Sequence, residues 1–130
     1  MKSKFLILVI DDEITIRNLC KEILTIHNYG AIVAENINEA LGIIHQQKED
    51  LKLVILDMQL SETDFNYNIP VLRETFPNIK IIAMSGSISL KELPENLRPL
   101  VNGFLQKPFT VENLMNEISK IEVLLKSGAF

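Results

Sequence analysis

The 130-residue chain has one cysteine, no cluster of basic residues and no long apolar run. Because a disulfide needs two cysteines, Cys20 cannot form one within the chain, which favours a reducing compartment. With 13 Lys and Arg against 17 Asp and Glu, the net charge is −4, which argues against a nucleic-acid surface. The apolar run at residues 5–10 ends in acids and is too short for a signal peptide or membrane span. We expect a cytoplasmic protein without membrane insertion.

Length and composition predict one domain, covering residues 1–130. A chain of this size buries roughly two-thirds of its unfolded surface, enough for a single core. Hydrophobic residues make up 47% and charged residues 23% of the chain, an ordinary globular balance. Cys20 falls on the apolar face of a predicted helix, so we interpret it as a small core residue.

The segment from Lys52 to Asp57 is the clearest structural signal in the chain. Its four consecutive apolar residues, 53–56, are typical of a short strand that is covered on both faces, as in a parallel sheet. The run ends on a carboxylate. Ligands of open α/β sheets bind just beyond the carboxyl ends of the strands, so Asp57 is well placed for chemistry.

Strand-like and helix-like segments alternate along the whole chain. Apolar runs predict five strands near residues 5–10, 31–34, 52–57, 79–84 and 101–105. Apolar residues at helical spacing separate most of them, and Gly30 is predicted to mark the end of the first helix. The alternation predicts an α/β fold, a doubly wound five-stranded parallel sheet of the flavodoxin-like kind. Its common strand order is 2-1-3-4-5, with the switch point between strands one and three.

Prolines disturb two of the predicted helices. The third helix is expected around residues 69–76, where Pro70 shortens or starts it. The segment 88–99 should hold the fourth helix, but Pro94 and Pro99 each remove a backbone donor and clash with the preceding turn. We therefore expect a short, broken or displaced helix there.

The predicted strand order brings five polar residues to one crevice. Asp11 and Asp12 follow strand one, Asp57 ends strand three, Ser85 follows strand four and Lys107 follows strand five. Three adjacent carboxylates repel each other and need a cation, and hard oxygen ligands suit Mg²⁺. A carboxylate facing Mg²⁺ and a lysine can attack phosphorus, because both cations neutralise the transferring phosphoryl group.

Four sequence blocks resemble those of the response-regulator receiver domain of two-component signalling, the CheY-like superfamily. The resemblance covers nearly the whole chain, with the blocks in the family's order and spacing. The blocks are Ile10-Asp11-Asp12-Glu13, Leu56-Asp57, Met84-Ser85-Gly86 and Gly103-Phe104-Leu105-Gln106-Lys107-Pro108-Phe109.

The resemblance implies that Asp57 accepts a phosphoryl group from a phospho-His on a sensor histidine kinase or a His-phosphotransfer protein. It also implies that Asp12, Asp57 and the backbone carbonyl of Gln59 hold Mg²⁺, while Asp11 acts mainly through water. The phosphorylated form would then change the binding of a downstream protein target or relay the phosphate. In this reading the chain is a switch with slow self-catalysed hydrolysis and not an enzyme.

Further roles follow from the same resemblance. Ser85 matches the Ser/Thr that moves to meet the phosphate, and Lys107 matches the lysine that pairs with it. Phe104 aligns with the aromatic switch position, where it can act only by packing because it has no hydroxyl. Small Gly86 would leave room for the phosphate. The Lys107-Pro108 bond is implied to be cis.

The chain departs from the family pattern in two regions. After Asp57, Ser61 stands where a Pro is usual and Phe65 where a Gly is usual, so the path of this loop and the start of helix three are open, as is the effect of Pro70. Pro94 interrupts the fourth helix, part of the surface that receivers commonly use for dimerisation or output. No departure removes a chemical residue.

Three other classes fit parts of the sequence. A receiver-shaped interaction module that is never phosphorylated would account for the departures but not for the complete polar set. A Mg²⁺-dependent phosphohydrolase resembling haloacid dehalogenases would also use an Asp nucleophile, but it would carry Asp-x-Asp after strand one. A flavodoxin-like cofactor protein would need a Gly-rich or Ser/Thr-rich phosphate loop, which is missing after strand one.

Overall fold

The structure, a computed structural model, describes residues 4–127 and contains one five-stranded parallel sheet. The strands have the order β2-β1-β3-β4-β5, as predicted. They are β1 Leu6–Ile10, β2 Gly30–Ala34, β3 Leu51–Asp57, β4 Lys80–Ser85 and β5 Gly103–Gln106. Every strand lies within about two residues of its predicted position, because a buried parallel strand requires an uninterrupted apolar run.

The register of the sheet brings the carboxyl ends of its central strands to one edge. Ile10 of β1 lies beside Leu56 of β3, and Asp57 lies beside Met84 of β4. Ser85 at the end of β4 is aligned with the last residue of β5. Residues that follow these strands therefore share the same crevice.

Four α-helices cover the two faces of the sheet. They are α1 Ile14–Ile26, α2 Ile37–Gln46, α3 Phe65–Thr75 and α4 Val111–Ser127. Helices α1 and α4 pack on one face, and α2 and α3 pack on the other. Each face forms its own apolar core, so the sheet is shielded from water on both sides, as its continuous apolar strands require. No helix between residues 4 and 127 is long and apolar enough to cross a membrane.

Helix α3 begins earlier than predicted. It starts at Phe65, so Pro70 lies inside the helix and does not start it. Asp64 provides the missing start signal, because its side chain accepts a hydrogen bond from the N–H of Asn66 at 3.0 Å. The proline removes one intrahelical bond, whose acceptor is the carbonyl of the exposed Asn66.

The fourth predicted helix is broken, as expected from its prolines. Two short 3₁₀ turns, Leu90–Glu92 and Arg98–Leu100, replace it. Leu93 and Leu97 between them are buried in the core beside α2 and α3. The segment thus covers the sheet as a helix would, but without a continuous helical surface.

Two smaller expectations concern the first helix. Cys20 is fully buried, and burial together with the negative charge of Asp11 raises the pKa of its thiol to about 11, so it stays an unreactive core residue.

Gly30 does not end helix α1, because it already belongs to β2. Asn28 makes the turn instead, with a φ of 70°, a left-handed conformation that asparagine tolerates better than most residues.

Candidate functional site

Three carboxylates meet at the carboxyl edge of the sheet. Asp11 and Asp12 follow β1, Asp57 ends β3, and one oxygen of each lies within 4.8 Å of the others. Asp11 is fully buried and Asp57 is 5% exposed. The structure therefore brings together the acids that the strand order predicts.

Lys107 reaches this acidic cluster from the end of β5. Its Nζ lies 2.8 Å from Oδ2 of Asp11 and 3.2 Å from Oδ2 of Asp57. Glu13 adds a longer ion pair, with 3.5 Å between its Oε1 and the same Nζ. One ammonium thus faces carboxylates from two different strand ends.

Backbone N–H groups fix the remaining oxygens of the two buried acids. The N–H of Glu13 donates to Oδ1 of Asp11 at 2.8 Å. The N–H of Gln59 donates to Oδ1 of Asp57 at 3.0 Å. In both cases the donor lies two residues after the acid, an Asx turn that forms where a strand leaves the sheet. Each buried carboxylate is therefore held by a backbone N–H on one oxygen and by Lys107 on the other.

Burial and the neighbouring charges shift the pKa values of Asp57 and Lys107. Burial raises the pKa of Asp57 to about 6, and the charge of Asp11 acts in the same direction. The Gln59 N–H and Lys107 oppose this shift. Burial disfavours the charged form of Lys107, but Asp11 and Asp57 outweigh burial and raise the pKa of its ammonium above the ordinary value. Lys107 is thus positively charged at neutral pH.

The donor set fits a small, hard divalent cation. The side chains that supply it, Asp11, Asp12 and Asp57, offer carboxylate oxygens, and the lysine cannot neutralise all the charge of these acids. A second positive charge would offset the repulsion between Asp11 and Asp57 that contributes to the raised pKa. Oxygen ligands at this separation allow a cation to contact some acids directly and others through water.

Ser85 is the last residue of β4, one position beyond the residue that pairs with Asp57, and it is 2% exposed. Its Oγ accepts hydrogen bonds from the N–H groups of Ser87, at 3.2 Å, and Ile88, at 3.1 Å. A hydroxyl that accepts two bonds keeps its own hydrogen to donate. A Cβ added to the neighbouring Gly86 would lie 3.7 Å from Cβ of Lys107, an ordinary van der Waals distance.

Phe104 is separate from this polar cluster. Its ring is half-buried and packs against the apolar core beside α2 and α3. Its backbone N–H donates to Oε1 of Glu117 on α4 at 3.2 Å. The Lys107-Pro108 peptide bond is cis, as the resemblance implied.

Sequence reasoning gave no role to two residues that touch the site. Glu13 belongs to the acidic run after β1, and its position immediately before α1 was the signal that it would face the same crevice. Arg17, one turn into α1, donates from Nη1 to the carbonyl of Asp11 at 2.9 Å. A single arginine on an amphipathic helix carries no such signal in the sequence.

Comparison with known proteins identifies the arrangement. A model of the response regulator receiver domain matches residues 7–119. The transcriptional regulatory protein KdpE of Staphylococcus aureus is 32% identical over 127 residues, which are 98% of this chain and 53% of that protein. Response regulator MprA of Mycolicibacterium vanbaalenii is 28% identical over 109 residues, 84% of this chain and 46% of that protein. The chain thus spans about half the length of these two curated relatives.

Solved structures lead to the same family. A receiver domain protein from Clostridium thermocellum has a TM-score of 0.85 at 25% identity, with 95% of this chain and 98% of that chain covered. The response regulator TrrA of Thermotoga maritima, in complex with Mg²⁺ and BeF, has a TM-score of 0.77 at 29% identity, covering 93% and 99%. With its sheet order, its acidic pocket and a family match over most of its length, the chain belongs to the response regulator receiver family.

Proposed function

We propose that this chain is a phosphoryl-accepting switch in which Asp57 receives a phosphoryl group from a phospho-His of a partner protein. Receivers are typically phosphoacceptors rather than catalysts, and membership of the two-component family implies a histidine kinase as partner. The finer assignment, a sensor kinase or a His-phosphotransfer protein that donates to Asp57, is our proposal. It rests above all on the Lys107 ammonium that faces both Asp57 and Asp11.

In the proposed transfer, an oxygen of Asp57 attacks the phosphorus atom while the bond from phosphorus to the histidine nitrogen breaks. The histidine ring keeps the bonding electron pair. Asp12, Asp57 and the Gln59 carbonyl would hold Mg²⁺, with Asp11 acting mainly through water, and the similar TrrA in its Mg²⁺ and BeF complex supports this choice of metal. Bound Mg²⁺ supplies positive charge to the phosphoryl oxygens. Lys107 supplies charge from the opposite side.

After transfer, the negative phosphoryl group changes the partners of the surrounding side chains. Lys107 would pair with a phosphoryl oxygen, and Ser85 would donate its free hydroxyl hydrogen to another. A movement of Ser85 toward the phosphoryl group lengthens its bonds to the N–H groups of Ser87 and Ile88, so the loop after β4 is free to shift. The ring of Phe104 would change its packing in response to this shift of the loop. The phosphorylated form then binds a downstream protein target or relays the phosphate.

The experiment that tests this function is intact-mass spectrometry after incubation with acetyl phosphate, with and without Mg²⁺. We expect a gain of one phosphoryl group that requires Mg²⁺ and is lost in Asp57→Asn. The matched control is Asp50→Asn, an exposed acid just before β3, which should be labelled like the unchanged chain. Labelling of Asp57→Asn at the unchanged rate would contradict the site. No gain under any condition would instead support a receiver-shaped module that is never phosphorylated.

A further inference from the structure

Asn68 is a fully buried amide in the apolar face of α3. Its neighbours on that face are Ile69 and Leu72, which are also fully buried. A polar side chain in such a position lowers stability unless it makes hydrogen bonds, and an apolar residue of the same shape would avoid the penalty. The position of this amide therefore needs an explanation other than core packing.

The amide of Asn68 makes one hydrogen bond, and that bond fixes its orientation. Its Nδ2 donates to the backbone carbonyl of Thr63 at 3.2 Å. Because a carbonyl oxygen only accepts, the NH₂ group must face Thr63. The other end of the amide, Oδ1, then points into the core, where it finds no hydrogen-bond partner within residues 4–127. The hydrogen bond to Thr63 is therefore made at the expense of leaving Oδ1 of Asn68 without a partner among the described residues.

The Thr63 carbonyl closes the loop that follows Asp57. The same oxygen accepts the N–H of Leu60 at 3.1 Å, so it ties the beginning of the loop to its end. One residue further out on each side, Gln59 and Asp64 form an isolated antiparallel bridge. Residues 59–64 are therefore a small closed turn, and Asn68 holds its closing carbonyl from the side of the core.

The 59–64 turn begins with Gln59, whose backbone carbonyl is one of the proposed Mg²⁺ ligands. The N–H of Gln59 donates to Oδ1 of Asp57, and the N–H of Met58 donates to the carbonyl of Met84 in β4 at 2.9 Å. The first part of the turn is thus fixed to the sheet and to the acidic pocket. Its second part depends on the Thr63 carbonyl, for which Leu60 and Asn68 supply the donors.

We propose that Asn68 is a positioning residue that holds the 59–64 turn closed, so that the Gln59 carbonyl faces the acidic pocket. The inference rests on the proposed function, because it assigns that carbonyl to Mg²⁺. It also accounts for Ser61 and Phe65, which stand where the family pattern has a Pro and a Gly. A loop without those residues needs another constraint, and the buried amide provides one.

The test compares Asn68→Leu and Asn68→Ala with the unchanged chain. Both variants remove the donor. Leu keeps the branched shape and the number of heavy atoms of Asn, and Ala excludes overpacking because it is smaller. The matched control is Asn66→Leu, the same change at an exposed position of the same helix. Three quantities are measured: amide hydrogen exchange at Leu60 without metal, the Mg²⁺ dissociation constant by NMR titration, and the urea midpoint of unfolding.

We expect both Asn68 variants to exchange the Leu60 amide hydrogen about fivefold faster and to bind Mg²⁺ about fivefold more weakly, the effect of one lost hydrogen bond. Asn66→Leu should match the unchanged chain in both respects. The urea midpoint of Asn68→Leu should stay the same or rise, because the unpaired Oδ1 is gone. A residue that served only the core would not separate stability from metal binding in this way.

Two other outcomes decide against the proposals, and they are distinguishable. Unchanged exchange at Leu60 and unchanged Mg²⁺ affinity in both Asn68 variants would overturn the positioning role. An unchanged chain that binds no Mg²⁺ and gains no phosphoryl group would overturn the proposed function. In that case the exchange rate of Leu60, which needs neither metal nor phosphate, still determines whether Asn68 holds the turn.

Discussion

Replacing Asp57 by Asn should remove a pH dependence of stability that the folded pocket creates. Burial, reinforced by the charge of Asp11, raises the pKa of Asp57 from 3.8 to about 6. The folded chain therefore holds this proton more tightly than the unfolded chain does. The stability that results is fully present below pH 3.8 and is lost as the pH rises through about 6. Asparagine does not titrate, so the variant lacks this loss.

The size of the effect follows from the shift. A shift of about two units corresponds to at most ~3 kcal/mol. Solvent reaches part of the pocket and screens its charges, so we expect about 1.5 kcal/mol. Between about pH 4 and pH 7, the free energy of unfolding of the unchanged chain should fall by that amount relative to Asp57→Asn. The other titrating groups are common to both proteins, so the difference reports the titration of Asp57 together with its coupling to Asp11 and Lys107.

The assay is urea unfolding at several pH values without divalent cations. The chain has no tryptophan, so far-ultraviolet circular dichroism is the suitable signal. Adding Mg²⁺ should remove most of the loss in the unchanged chain, because the cation favours the ionised carboxylate. Parallel pH curves for the two proteins without metal would refute the reasoning, since burial and Asp11 would then not control the protonation of Asp57.

Three further substitutions, one of them with a matched control variant, test the fold and the pocket by urea unfolding. Lys107→Met should lower the metal-free stability by about 2 kcal/mol and recover part of it with Mg²⁺, because the buried acids lose their ammonium; no loss would contradict the ion pairs. Gly103→Ala should destabilise β5 by about 1 kcal/mol or more, since its Cβ would lie 3.0 Å from Oε1 of Glu117. Its control, Gly42→Ala, has open space inside α2 and should stabilise by up to about 1 kcal/mol. Arg73→Met should cost about 2–4 kcal/mol, because the guanidinium donates to three backbone carbonyls and to Asn102; a smaller change than for Gly103→Ala would show that these bonds contribute little.

The sheet and the acidic pocket were predictable because strand-length apolar runs encode them directly. Each central strand is a continuous apolar run, and the polar residues that end it must lie at the carboxyl edge of a parallel sheet. The strand order then determines which strand ends are neighbours. The meeting of Asp11, Asp57 and Lys107 can therefore be predicted from the local strand signals and the common strand order. Side chains that act from inside a helix, such as Arg17 and Asn68, have no comparable pattern. Their role depends on which backbone carbonyl the folded chain places within reach.

The start of α3 was missed for a related reason. Pro70 is a strong local signal, and it favoured a helix beginning nearby. The actual start depends on Asp64, which caps the helix while its backbone pairs with Gln59 across the loop. That pairing becomes visible only in the folded chain, because it joins residues that leave the sheet to residues that enter the helix.

The segment between β4 and β5 shows the converse case, in which the sequence predicts the loss of a helix but not what replaces it. Pro94 and Pro99 exclude a continuous helix. Without the helix, several backbone carbonyls of this segment lack the N–H donors that a helix would supply. Arg98 supplies donors to two of them, from Nε to Leu93 at 2.9 Å and from Nη2 to Lys91 at 2.8 Å. The guanidinium therefore joins the second 3₁₀ turn, to which Arg98 belongs, to the end of the first. A charged side chain near two prolines looks like an ordinary surface residue in the sequence, so its contribution depends on a geometry that only the fold provides.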